Sequence, residues 1–213
     1  MTPSLTPEEM QICGLLERYN CPLQFHEVRA AFMGAICCPA IGINPIRVIG
    51  GIWEGHLPEF MRLEDADNFF EVLVNQCWNP LTAHQDRKHP FHLTIWAVKM
   101  TKKDLAALAQ VRTEELEIFI EAMEGPDEEL TLPKRAIGAV RVIEEIYGLI
   151  SGIETLALDK RISKNSDEIK EIFAELDQLT IIAEKEINAA IIACQKARKT
   201  NIKHLPTATG RLH

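Results

Sequence analysis

Residues 167–199 read DEIKEIFAELDQLTIIAEKEINAAIIACQKARK. Ile169, Leu176, Ala183, Ala190 and Ala197 recur at seven-residue intervals, and Ile172, Phe173, Leu179, Ile187 and Cys194 fill the adjacent stripe. Such spacing is the apolar seam of one long helix, and its alanines favour close helix–helix packing. Upstream, Lys164-Asn165-Ser166 reads as a turn and cap. Before it, Ile137, Val140, Ile143, Ile146, Tyr147, Ile150 and Ile153 follow Pro133 in a helix that is apolar over much of its circumference. The two helices are expected to pair as a long antiparallel hairpin. A homodimer through the same C-terminal helices is the second use such a seam admits.

The remaining pattern is helical as well. Thr6-Pro7-Glu8-Glu9 carries a cap, a proline preset for the first helical position and two acids at the positive helix end. Ile12, Leu15, Leu16 and Tyr19 give the apolar face that follows. A second helix is expected from about Gln24 to Cys38, ending before Pro39, and Asn44-Pro45 opens a short third one carrying Ile46, Ile49 and Trp53. From Leu63 to roughly His84, Ala66, Phe69, Phe70, Leu73, Val74, Cys77 and Trp78 recur at three- and four-residue spacing. Thr101 to Glu124 resumes that rhythm until Gly125-Pro126-Asp127 stops it. No alternating strand stands out, and Phe91 to Val98 fits a helix as well. The fold class is therefore all-α: a helical bundle over 1–130, the hairpin over 131–200 and a basic flexible tail over 201–213.

Composition narrows the functional classes. Hydrophobic residues make up 46% and charged residues 25% of the 213, ordinary soluble usage. The net charge of −8 argues against a nucleic-acid binder, which needs clustered cations to displace counterions. The charge is uneven: Glu114 to Glu129 is acidic, whereas after Glu186 there is no Asp or Glu but Lys196, Arg198, Lys199, Lys203 and Arg211. Six cysteines without a C-x-x-C pair suggest a reducing compartment, and Cys37-Cys38 in an apolar run reads as buried rather than redox-active. MTPSLTPEEMQ lacks the layout of a secretory signal, and Pro39, Asn44 and Pro45 interrupt the most apolar stretch, Ala30 to Ile46, so no membrane span is expected. A cytoplasmic location follows.

In GGIWEGHLPEF, residues 50–60, no Gly-Lys-Ser/Thr follows the glycines, so a phosphate loop is excluded. Trp53 and Phe60 read as apolar anchors on either side of a tight turn. Arg29-Ala-Ala-Phe-Met-Gly-Ala-Ile, Pro39, Pro45, Ile52-Trp53-Glu54-Gly55, Pro58-Glu59-Phe60 and Ala66 to Trp78-Asn79 stand in one order. This order resembles the uncharacterised bacterial YecA/YgfB-like family over roughly residues 25–84, which places a glycine- and alanine-rich helix, a proline-bearing linker, an Ile-Trp-Gly turn, a Pro-x-Phe and a long amphipathic helix in succession. The resemblance implies an all-helical cytoplasmic protein of unassigned activity. The sequence departs from it at Glu54, where the family usually has glycine, and in lacking the Cys-rich zinc-binding tail of some members.

Three functional expectations remain. The first is a non-enzymatic interaction module, engaging a protein partner through an exposed stripe, the acidic patch or the basic tail, with no cofactor. The second is a metal-dependent hydrolase built around His84, His89 and His92 with a glutamate from a neighbouring helix; the three histidines, with Asp86, could approach a metal from one polar loop, although their spacing matches no structural zinc pattern. The third is a helix-turn-helix over Thr101 to Gly125 with its turn at Gln110; its second helix would expose Glu114, Glu115, Glu117, Glu121 and Glu124 against Arg112, the wrong sign for a phosphate-walled groove.

Overall fold

The computed structural model describes residues 1–125, 131–159 and 166–203, and it is all-helical apart from one two-residue strand pair. In chain order come β1 (Thr2–Pro3), α1 (Pro7–Arg18), α2 (Phe25–Cys37), α3 (Pro45–Ile52) and α4 (Leu63–Phe70). A π-helical stretch (Glu71–Trp78), α5 (Asn79–Leu81), a 3₁₀ turn (Thr82–Gln85) and β2 (Trp96–Ala97) follow, and then α6 (Lys102–Glu124), α7 (Lys134–Leu158) and α8 (Ser166–Lys203). The acidic Asp127, Glu128 and Glu129, the turn residues Lys164 and Asn165, and the tail beyond Lys203 lie outside the described residues.

Helix starts are set by local chemistry. Thr6 Oγ1 accepts from the Glu9 N–H at 3.2 Å and the Thr6 N–H donates to Glu9 Oε2 at 2.9 Å, a reciprocal cap of about 1 kcal/mol. Asn44 Oδ1 accepts from the Ile46 N–H at 2.9 Å, and Thr101 Oγ1 from the Asp104 N–H at 3.1 Å. Helix α2 is the central element: Val28, Phe32 and Met33 are fully buried, and it packs mainly on α6, which packs in turn on α7, and α7 on α8. One apolar cluster runs from Ile12 to Cys194, so α6 and α7, on either side of the expected 130/131 boundary, share a single core. The seam of α8 is as spaced: Ile169, Phe173, Leu176, Ala183, Ile187, Ala190 and Cys194 are buried. Among the described residues no helix is long and apolar enough to cross a membrane.

Residues 50–60 form the anchored turn expected of them. Trp53 is buried, donates from Nε1 to the Tyr19 carbonyl at 3.2 Å and meets Phe69 edge-on, while Phe60 packs against Tyr19 and Phe69. Glu54 and Gly55 both take positive φ, +53° and +83°, so Glu54 holds a β-carbon in a left-handed position.

Three expectations are corrected. The helix from Leu63 widens into π geometry over Glu71–Trp78 instead of continuing as α, while still burying Val72, Leu73, Cys77 and Trp78. Helix α6 runs unbroken through Gln110, so the helix-turn-helix is absent. Phe91–Val98 is an extended strap, not a helix: Phe91 and Leu93 point inward, His92 and Ile95 outward, and Trp96 and Ala97 pair with Pro3 and Thr2. Its aromatic and β-branched residues suit an extended chain. The deciding factor is that side chains from three helices satisfy its backbone.

Candidate binding site

The strap is held by side chains that stand in for a neighbouring strand. Asn188 of α8 accepts from the Phe91 N–H at 2.7 Å and donates to the Phe91 carbonyl at 2.8 Å. Glu184, one turn earlier, accepts from the Leu93 N–H at 2.9 Å and holds His92 Nδ1 at 2.8 Å. From α6, Glu115 accepts from the Thr94 N–H at 2.8 Å and Arg112 donates to the Thr94 carbonyl at 2.9 Å, the two side chains forming an ion pair with each other. Arg29 of α2 donates to the His92 carbonyl at 2.7 Å and lies over the Phe91 ring at 4.8 Å. Glu115 is therefore 1% exposed and structural, not part of an outward acidic face; Glu117, Glu121 and Glu124 are the exposed acids of that helix.

Fixing Phe91 against α8 also fixes the polar loop before it. His84 Nδ1 is 2.9 Å from the His89 carbonyl oxygen, the His84 ring meets Phe91 edge-on, and Asp86 Oδ1 accepts from the Lys88 N–H at 3.0 Å. Burial holds the His84 imidazole below its ordinary pKa and so favours the neutral ring. His92 is turned to Glu184, and His89 is exposed. The three histidines are not brought together on a common point: among the described residues, no group of three or more His, Cys, Asp or Glu side chains is arranged to hold a metal.

What the loop builds instead is a cationic concavity of about 470 Å³ against the start of α7 and one face of α8. Its floor is apolar, from Ala189, Ile192 and Ala193. Arg87 of the loop, Arg135 of α7 and Lys185 and Lys196 of α8 line it, with Asp86 as the one carboxylate of the lining. Arg135 is paired with Glu186 at 2.6 Å, whereas Arg87, Lys185 and Lys196 are exposed and make no ion pair among the described residues. Lys185, Ala189, Ile192 and Lys196 are spaced three and four apart, which places them on one helical face.

Cys37 and Cys77 are structural. Cys37 and Cys38 are buried, and burial with a hydrogen bond to Cys194 of α8 pushes the Cys37 thiol well above its ordinary value. Burial also raises Cys77 to about 12. Thiols so shifted are neither nucleophiles nor good metal ligands at neutral pH.

The sequence reading named His84 and Asp86, placed Glu115 and Arg112 on an exposed helix face although both are buried, and missed Asn188 and Glu184. Asn188 is a polar residue in an apolar run, Ile187-Asn-Ala-Ala-Ile-Ile, whereas Arg112, Glu115 and Glu184 stand among other polar and charged residues and carry no local signal. No family model matches this chain, and neither a curated relative nor a solved structure does.

Proposed function

We propose that this protein is a non-enzymatic helical binding module that takes an acidic segment of a partner protein in the concavity formed by the 84–90 loop, α7 and α8. The observation that carries this reading is the collection of Arg87, Arg135, Lys185 and Lys196 over an apolar floor in a chain of net charge −8. A carboxylate-bearing segment meets the cations at the rim, and an apolar side chain of the same segment covers Ala189 and Ile192. Charge complementarity of this kind governs encounter and orientation, with the buried apolar contact adding to affinity. The family resemblance over residues 25–84, which implies no assigned activity, is consistent with such a role in a reducing compartment.

The test uses a fluorescent peptide of alternating Glu and Leu, titrated with the full chain. Binding that weakens several-fold between 50 and 200 mM salt, and disappears in the Lys185→Glu/Lys196→Glu variant, supports the reading. Both residues are exposed, so the variant keeps its fold. Absence of binding at the lowest salt, or equal binding by the variant, sinks it. Duplex DNA binding with no response to the peptide would assign the surface to a different class of partner.

A further inference from the structure

A second cavity, sharing no lining residue with the first, lies at the opposite end of the strap. It has a volume of about 450 Å³, within the roughly 300–1,000 Å³ range of small-molecule sites. The end of α1, the Asn20–Gln24 turn, the start of α2, the N-terminal segment and the strap enclose it. Leu5, Leu16, Leu23, Phe25 and Trp96 make its walls largely apolar. No lysine or arginine lines it, and Glu17 is its one carboxylate. An anionic ligand would find no counter-charge there.

His26, 2% exposed, is the polar group in its wall whose role is otherwise unexplained. Its Nε2 lies 2.9 Å from Glu114 Oε2, and the other oxygen of Glu114 accepts from Gln110 Nε2 at 2.8 Å. A carboxylate takes the proton-bearing nitrogen, so the neutral ring carries its hydrogen on Nε2 and offers a lone pair at Nδ1. Nδ1 has no partner among the described residues. The Trp96 ring stands edge-on to His26 at 5.7 Å and fixes its plane. On the strap, Thr94 is 6% exposed and its hydroxyl is unpartnered, as is the Trp96 indole N–H. Buried polar atoms without partners are uncommon and costly, and Thr94 and Trp96, which carry two of them, line the same cavity as His26. Cys21 also lines the cavity, but burial raises its thiol to about 11, so it is not a nucleophile waiting beside the histidine.

We propose that this cavity is a binding site for a small uncharged aromatic molecule whose N–H or O–H donates to His26 Nδ1. The body of the ligand lies against Leu16, Phe25 and Trp96, and Glu114 serves as a positioning residue that fixes the histidine tautomer. This goes beyond the partner-binding reading, which concerns other residues and another ligand chemistry.

The probes are indole, benzofuran, which matches indole in shape but lacks its N–H, and benzoate. They are titrated into the full chain while the three tryptophan indole signals are followed by nuclear magnetic resonance, with Trp78, packed on Phe32, as the internal control. Indole is expected to move the Trp96 signal and leave Trp78 in place. Benzofuran is expected to bind about tenfold more weakly, the ratio that one ordinary hydrogen bond supplies, and benzoate more weakly again. His26→Phe should abolish the difference between indole and benzofuran. Cys21→Phe, which fills the cavity from its half-buried rim and leaves His26 and Glu114 untouched, should reduce binding of both. An unmoved Trp96 signal overturns the proposal. So does benzofuran or benzoate binding as tightly as indole, or indole binding unchanged in Cys21→Phe.

Discussion

Gly34 of α2 lies so close to Phe119 of α6 that a Cβ built on the glycine would stand 2.4 Å from the Phe119 carbonyl oxygen and 2.8 Å from the Ala122 Cβ. The nearer atom belongs to the backbone and cannot rotate away. The two central helices touch at this point because the side chain is absent. Gly34→Ala should therefore push α2 from α6 and cost about 1–3 kcal/mol despite alanine's better helix propensity. Urea unfolding measures it, and an unchanged midpoint would show that the helices separate freely.

Asn188 holds both backbone groups of Phe91 across 97 residues of sequence. Asn188→Ala leaves the donor and the acceptor unpaired at the edge of the core, a loss of about 2–3 kcal/mol. Amide exchange at Phe91 should accelerate while exchange in α2 keeps its native pattern. Protection unaltered at Phe91 would mean the strap is held by its side chains alone.

The ion pair of Arg112 and Glu115 is buried, with both side chains also bonded to Thr94. Arg112→Met isolates a buried carboxylate and should cost about 3–5 kcal/mol. Adding Glu115→Met should recover part of that loss, because no unpaired charge then remains. A double variant less stable than the single one refutes the explanation.

Glu54 occupies a left-handed conformation, φ +53°, that glycine adopts without steric penalty. Glu54→Gly should raise stability by about 0.5–1 kcal/mol, the relief of the β-carbon less the added freedom of the unfolded chain. Thermal unfolding reads the sign. A fall would indicate that the Glu54 side chain makes a compensating interaction in solution.

Asp104 accepts the Lys99 N–H at 2.7 Å, the largest cause holding its carboxyl below the usual range; the Met1 ammonium at 3.4 Å adds to it. Because the folded pKa is depressed, the contribution is complete above the unfolded value of about 3.9 and is lost as pH falls through the lower folded value. The stability gap between the wild-type chain and Asp104→Asn should be constant from pH 7 to about 5 and close towards pH 2. A gap that persists at pH 2 would assign the effect to packing.

Much of the architecture was legible because periodicity is local. The caps at Thr6 and Asn44, the apolar spacings of α1, α2, α6 and α7 and the heptads of α8 are each contained within their own segment, and each forms where it was expected. Residues 50–60 were legible too, since a buried tryptophan beside a glycine turn has few other uses. The strap was not. In Phe91–Val98 the apolar residues alone do not separate a short strand from a helix, and the choice rests on Asn188, Glu184, Glu115, Arg112 and Arg29, whose proximity no local pattern encodes. The histidines of the 84–92 region were visible as a group in sequence, yet the backbone turns His84 towards the His89 carbonyl and His92 towards Glu184.

The sequence by itself determined the helices, their starts and the apolar faces they bury, because hydrogen bonding and side-chain spacing within a helix involve residues at most a few positions apart. Tertiary structure alone decided that Glu115 is a buried clamp rather than surface charge, and that the cations of three separate segments share one concavity. It also decided that His26 meets Glu114 beside a cavity. Each of these depends on long-range packing, where a polar group's role is set by whichever partner the fold brings within about 3 Å of it.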